Sequence, residues 1–194
     1  MKKCLFVLAI VALLIVALPV LAQEELDEIY VTADGTLLFA HPSEWKFEVD
    51  MDGTMVVFDK NTTIYIYSPD QIIGRGWLMS DPVQMVNAIL TEWSREGDEV
   101  SEVIALESNG RSAAMGYYIH EGYPGLLLLV KLSDGSLGGI EAVGNQGETQ
   151  ILGEATALAI ADTLDVIEGN VMTTAGLNQA WLDTISALEP GTNF

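Results

Sequence analysis

The sequence predicts an α+β fold, a mainly antiparallel sheet flanked by helices in an α/β/α sandwich, and three observations carry that prediction. Asp-Gly or Asn-Gly pairs recur at Asp34-Gly35, Asp52-Gly53, Asn109-Gly110 and Asp134-Gly135, each between β-prone runs. Such pairs tolerate the positive φ angles of tight hairpins. The runs Met55 to Phe58, Ile64 to Tyr67 and Leu126 to Val130 are apolar at consecutive positions, the pattern of central strands covered on both faces. Three further segments have a helical period and can supply the cover.

In chain order, residues 1–22 read as an export signal. Met1-Lys2-Lys3 is a positive start, Leu5 to Leu18 is an apolar run, and Pro19 followed by Val20 and Ala22 makes a small-residue cleavage site. Cleavage between Ala22 and Gln23 is expected, which places the protein outside the cytoplasm. The alternative is a retained N-terminal anchor facing outside, because Cys4 to Ala22 approaches the ~20 apolar residues that span a bilayer. Cys4 precedes the apolar run, whereas an acylated cysteine would follow it, so it leaves with the signal. Residues 23–29 are an acidic segment and 30–194 are expected to form a single globular domain. Removing 22 residues from 194 leaves 172 without a cysteine, so a hydrophobic core rather than disulfides must hold the fold.

The chain has 8 basic and 28 acidic residues, a formal charge of −20, and loss of Lys2 and Lys3 takes it to −22. That field repels phosphate backbones and anionic headgroups, so neither nucleic acid nor a peripheral membrane surface is an expected partner. The charge is compatible with cations or basic proteins but is read first as what keeps an exported protein soluble, and the expected partner is an unidentified protein or small ligand.

Within the domain, Trp45, Phe47 and Val49 alternate with Lys46, Glu48 and Asp50, as in a strand with one dry face. Ala113, Met115, Tyr117 and Ile119 alternate with smaller or polar neighbours in the same way. The first helix is predicted to start with Asp81 as N-cap, Pro82 in the first position and Gln84 completing a capping box. Val86, Ile89, Leu90 and Trp93 form its stripe and Gly97 ends it. A second helix is predicted from about Thr149 to Thr163, with Ile151, Leu152, Ala155, Leu158 and Ala159 as its apolar side. A third spans about Thr174 to Leu188, before Pro190-Gly191.

The segment from Tyr30 to Trp45, with its Asp34-Gly35 hairpin, the strand residues that follow it including Phe39, and Pro42 three residues before Trp45, resembles the opening of the PsbP/Mog1-like family. Asn109 to Ala114, with Gly110, and the stretch Ile160 to Thr163 resemble that family's middle and end, so the likeness covers about 30–167. His41 stands where a tyrosine or phenylalanine is usual, and Glu44 where glycine is usual. The resemblance implies an antiparallel sheet sandwiched by helices, with Tyr30, Asp34, Gly35, Phe39, Pro42, Trp45 and Gly110 as structural residues. It also implies a noncatalytic accessory or binding protein. Partners of known members are as different as a photosynthetic oxygen-evolving complex and a nuclear transport GTPase, so none transfers here.

Motifs for catalysis are sparse. His41 and His120 are the only histidines, too few for a zinc site without acidic help, and they read as a turn residue and a strand end. The chain lacks a Gly-x-Ser-x-Gly elbow, a Walker loop and a Gly-x-Gly-x-x-Gly turn. Glu48, Asp50, Asp52, Gly53 and Asp59 fall on a calcium-loop spacing, but in strands rather than between helices, so a hairpin with solvated acids is the reading. Asn61-Thr62-Thr63 matches a glycosylation acceptor in a predicted turn, read as a chance match behind a bacterial-looking signal. Trp77, Tyr65, Tyr67, Tyr117, Tyr118 and Tyr123 exceed what one sheet face needs; some could line a groove, but core packing is the commoner fate and the expectation. The expectation is an exported noncatalytic binding or accessory protein with no cofactor and no metal. The alternatives are a secreted hydrolase using acidic residues and a surface that binds divalent cations weakly. Two carboxylates or a His-carboxylate pair converging in a deep pocket would favour the hydrolase.

Overall fold

The run Leu126 to Val130 decides the layering, because its side chains leave the strand alternately on two sides and all are inaccessible to solvent. Leu126, Leu128 and Val130 join one core, and Leu127 and Leu129 join a second on the opposite face. In this computed structural model, which describes residues 25–32 and 35–167, the elements run β1 (Glu28–Val31), β2 (Leu37–His41), β3 (Lys46–Val49), β4 (Met55–Phe58) and β5 (Thr62–Tyr67). Helices α1 (Pro69–Gly74) and α2 (Pro82–Glu96) follow, then β6 (Glu99–Val100), β7 (Ile104–Ser108), β8 (Arg111–His120), β9 (Tyr123–Lys131) and β10 (Leu137–Gly144). Helix α3 (Glu154–Thr163) and β11 (Asp165–Val166) complete the described residues.

Among these residues the main sheet has eight strands in the order β3-β4-β5-β10-β9-β8-β6, with β7 also paired to β8. Its pairings are antiparallel. Helices α1 and α2 cover one face through Ile72, Met85, Val86, Ile89 and Leu90. The other face is covered by α3, through Ala157, Ile160 and Ala161, and by Leu37 and Phe39 of β2. The observed fold is therefore α+β, a mainly antiparallel sheet with helices on both faces. A small antiparallel sheet, β1-β2-β11, shares the second face with α3, a layer that the sequence patterning did not foresee.

The hairpin signals fall where antiparallel strands join: Asp52-Gly53 between β3 and β4, Asn109-Gly110 between β7 and β8, Asp134-Gly135 between β9 and β10. Asn109 and Gly110 both take positive φ, 51° and 74°, the geometry that a two-residue hairpin requires. Strands β1 and β2 pair around the Asp34-Gly35 signal, of which Asp34 itself lies outside the described residues. The predicted cleavage site at Ala22 and Gln23 and the predicted helix from Thr174 to Leu188 also lie outside them.

Helix α2 follows its prediction closely: Asp81 Oδ1 accepts from Gln84 N at 2.9 Å, Pro82 opens the helix, and Gly97 at φ 113° closes it. The complete, two-way capping box is instead at α1, where Ser68 and Gln71 bond reciprocally. Helix α3 corrects two expectations. It starts at Glu154 rather than Thr149, and its buried side is Thr156, Ala157, Ala159, Ile160 and Ala161, while Leu152 is 62% exposed. The physical reason is a tight seat before the helix: Gly153 N donates to Thr62 Oγ1 at 2.9 Å, which anchors the chain and sets the rotation of the first turn. The alternation at β3 also fades, since Trp45 is buried but Val49 at the strand's end is half exposed.

Candidate functional site

A charged residue inside an apolar strand builds the site. Glu141 lies in β10 between Ile140 and Ala142, opposite Tyr65 of β5 and Leu127 of β9. Its side chain faces the α2 side, and Tyr67, two residues along from Tyr65, shares that face. Tyr67 Oη donates to Glu141 Oε2 at 2.6 Å, and Tyr118 Oη donates to Glu141 Oε1. Burial, then the Glu141 charge, hold both phenols protonated well above the usual tyrosine range. Tyr65 is shifted the same way by burial and the same carboxylate.

Tyr118 starts from β8, two strands away from Glu141, and β9 must let its ring across. Gly125 faces Tyr118 in the β8–β9 register and has no side chain to block the ring. Beyond Tyr118 the edge of Trp93 from α2 packs at 4.8 Å between centroids. On the other flank, Trp77 meets Tyr67 edge-on at 6.1 Å, and the Arg75 guanidinium sits 4.4 Å above the Tyr67 ring. The hydroxyls are thus fixed by packing on both sides of the carboxylate.

These groups wall a cleft of about 520 Å3, open to solvent and lined by the rings of Tyr65, Tyr67, Trp93, Tyr118 and Tyr123. Its ionisable lining is Glu96, Asp98, His120 and Glu141. Glu96 ends α2, and Asp98 follows the helix, so the negative end of the helix dipole also faces this region. His120 Nδ1 donates to Asp98 Oδ1 at 2.7 Å, and that hydrogen bond, then the Asp98 charge, raise the imidazole above its ordinary range. The pair is at the rim: the His120 side chain is 59% exposed.

A second hollow, about 590 Å3, lies around the end of β8 between β6 and the residues before α3. Its polar groups serve the fold. Tyr117 Oη donates to Glu154 Oε1 at 2.6 Å, with burial first and that bond second raising the phenol to about 12. Ser101 Oγ donates to Glu102 O and accepts from Tyr117 N. The Glu141 cleft is the stronger candidate, because its rings and carboxylates converge on open space.

No family model and no curated protein sequence matches this chain. Among solved structures, it is similar to cyanobacterial PsbP (CyanoP) from Synechocystis sp. PCC 6803, with a TM-score of 0.45 and 10% identity over 72% of this chain and 92% of that one. It is also similar to a crystal structure from Bacteroides thetaiotaomicron VPI-5482, at TM-score 0.45 and 10% identity, over 76% of this chain and 51% of that one. This chain therefore spans about half of the second protein. These are likenesses of layout, and what the cleft can do follows from the chain's own residues.

The residues singled out by the family resemblance sit away from the cleft. Tyr30 packs on Phe47 at 4.4 Å and on Phe39 at 5.5 Å, Phe39 is fully buried, and Trp45 is buried in the same core. Gly35 and Gly110 lie in hairpin turns, and the Pro42 carbonyl accepts from Trp45 N at 3.1 Å. His41 is corrected from a turn residue: it ends β2, is buried, and stacks on Phe47 at 5.5 Å, because an imidazole can replace an aromatic ring in a packed layer. His120 is the strand end that was expected.

Of the acids on the calcium-loop spacing, Asp52 and Asp59 serve turns, with Asp52 Oδ1 accepting from Thr54 N and Asp59 Oδ1 from Asn61 N and Thr62 N, and Glu48 lies exposed in β3. Of the six surplus aromatics, Tyr67 and Tyr118 are buried in the second core and Tyr65, Trp77 and Tyr117 pack against the cores, the commoner fate expected; Tyr65, Tyr67, Tyr118 and Tyr123 also border the cleft. Sequence reasoning passed over Glu141, Trp93 and Asp98 as site residues. The available signal was Glu141 itself, a carboxylate midway along an apolar strand, which must find hydrogen-bond donors once the strand is buried.

Proposed function

We propose that this protein is exported and acts without catalysis, as a binding or accessory protein that holds its ligand in the aromatic cleft around Glu141. The observation that carries this reading is how the cleft spends its reactive groups. Each Glu141 oxygen accepts a tyrosine hydroxyl, and Asp98 is engaged by His120. Among the described residues no serine, threonine or cysteine lines the cleft to be activated as a nucleophile. What remains directed at open space is ring surface and negative charge, the means of recognition. Export fits the lysine-led apolar start, and among the described residues no helix is long and apolar enough to cross a membrane.

One observation favours a second reading, a hydrolase: the His120–Asp98 pair borders the same cleft as Glu141. Its exposure at the rim, rather than in a deep pocket, weighs against this. The test combines ligand-observed NMR of the mature chain against sugars, amines, carboxylates and alcohols with turnover assays on glycosides and esters. Saturable binding that Trp93→Ala weakens, without turnover, supports the binding reading. Turnover abolished by His120→Ala overturns it in favour of the hydrolase. The mass of the exported protein checks the leader, since cleavage after Ala22 leaves Gln23 first.

A further inference from the structure

We infer that the Glu141 cleft takes a small organic cation of the alkylated ammonium class, a proposal that rests on the binding reading above and names its ligand chemistry. Three features converge on it. The partly exposed rings of Tyr65, Trp93 and Tyr123 offer π surface around one space floored by the buried Tyr67 and Tyr118, and cations are drawn to aromatic faces within about 6 Å. The carboxylates of Glu96, Asp98 and Glu141 line the same space, beside the C-terminal end of α2. The volume of about 520 Å3 suits a small molecule.

The hydrogen bonding selects among cations. Each oxygen of Glu141 already accepts from a phenol, Tyr67 on one and Tyr118 on the other, so the carboxylate contributes charge while its strongest acceptor directions are taken. A hydrated inorganic ion must exchange its water for several oxygen ligands, commonly six or more for calcium. Among the described residues no cluster of three or more His, Cys, Asp or Glu could hold a metal. A quaternary ammonium ion has no N–H to satisfy and little hydration to lose, and its methyl groups pack on rings. Anions meet three carboxylates at the walls, of which only Asp98 is paired with His120, and the net negative charge of the chain.

Arg75 gives an internal precedent, since a guanidinium of the chain itself already rests on the Tyr67 ring at 4.4 Å and near Trp77 at 5.7 Å. Arg75 does not line the cleft, where the rings of Tyr65, Trp93 and Tyr123 keep exposed surface for a ligand.

The experiment titrates the mature chain with tetramethylammonium and choline, using 3,3-dimethylbutan-1-ol as the neutral shape-mimic of choline, followed by Trp93 fluorescence and NMR. Choline should bind saturably and the neutral mimic roughly tenfold more weakly, the scale of a desolvated cation–π and charge contribution. Glu141→Gln, whose amide oxygen accepts from one tyrosine and whose NH2 donates to the other hydroxyl, should weaken choline by a similar factor and the neutral mimic by much less. Trp93→Phe, a milder change whose near-ultraviolet spectrum checks folding, should weaken both cations. Equal affinity for choline and its mimic, or no saturation with either cation up to the solubility of its salt, overturns the proposal. If neutral or anionic compounds saturate the cleft and ammonium ions do not, the cation class falls and the binding reading stands. If no class perturbs Trp93 or Tyr65, both fall.

Discussion

The ring of Tyr118 occupies the place where Gly125 would carry a side chain: a Cβ built there would lie 2.0 Å from Tyr118 Cζ. The glycine is what allows a residue on β8 to reach over β9 and bond Glu141 on β10.

Gly125→Ala should therefore destabilise the protein by about 1–3 kcal/mol, the range for forcing extra volume into a packed layer. The Tyr118 ring cannot swing away cheaply, because it is buried and edge-packed on Trp93. Urea unfolding should show a lower midpoint with an unchanged slope. An unaltered midpoint would show that the ring is free to move and that the crossing is not fixed by packing.

Stability should fall as pH rises above 10. Tyr67 and Tyr118 have folded pKa values raised above the ordinary 10.0, first by burial and then by Glu141. Above that pH the unfolded chain releases phenol protons that the folded chain retains, so their stabilisation, full below pH 10.0, drains away as pH climbs towards the folded values. Each contributes a slope of up to about 1.4 kcal/mol per pH unit. Tyr67→Phe and Tyr118→Phe should each flatten the alkaline limb of unfolding midpoints, and a limb unchanged in both variants refutes the assignment.

Arg111 of β8 should be worth roughly 3–5 kcal/mol, the cost of breaking a buried ion pair from one side. Its guanidinium donates to the carbonyls of Leu164 at 2.6 Å and Ala161 at 3.1 Å, and sits 3.5 Å from Asp165. It thereby satisfies the end of α3 and fixes where β11 begins. Arg111→Ala should show this loss in thermal or urea unfolding, and Arg111→Lys should recover only part, because an ammonium lacks the planar fork.

The His120 imidazole should titrate above 6.5, as its hydrogen bond to Asp98 and that carboxylate's charge both favour the protonated form. Its support for folding is present below 6.5 and is lost as pH rises through the folded value. NMR titration of the His120 ring checks the position, and Asp98→Asn should move the midpoint down towards 6.5. No movement would mean that the pair is not formed in solution.

Most of the layering was legible in short-range pattern. Leu126 to Val130 could be dry on consecutive positions only if both faces were covered, and Asp81, Pro82 and Gly97 marked the helix that covers one of them. The face of α3 was misjudged because alanines surround that helix, so hydrophobicity alone left its rotation open, and the Gly153–Thr62 bond, between residues 91 apart, set it. The cleft was half legible. The surplus tyrosines allowed a groove while favouring core packing, and nothing local distinguishes Tyr118, which bonds Glu141, from Tyr117, which bonds Glu154.

What the chain's order of residues determined by itself was which neighbouring segments turn back as hairpins, which central strands are dry on both faces and the sign of the net charge, since these follow from turn chemistry, side-chain period and a count of charges. Only tertiary structure decided that Glu141, Tyr67, Tyr118 and Trp93 meet. They come from β10, β5, β8 and α2, and their meeting depends on strand order and register, which sum over the whole packed sheet and are written in no single stretch of sequence.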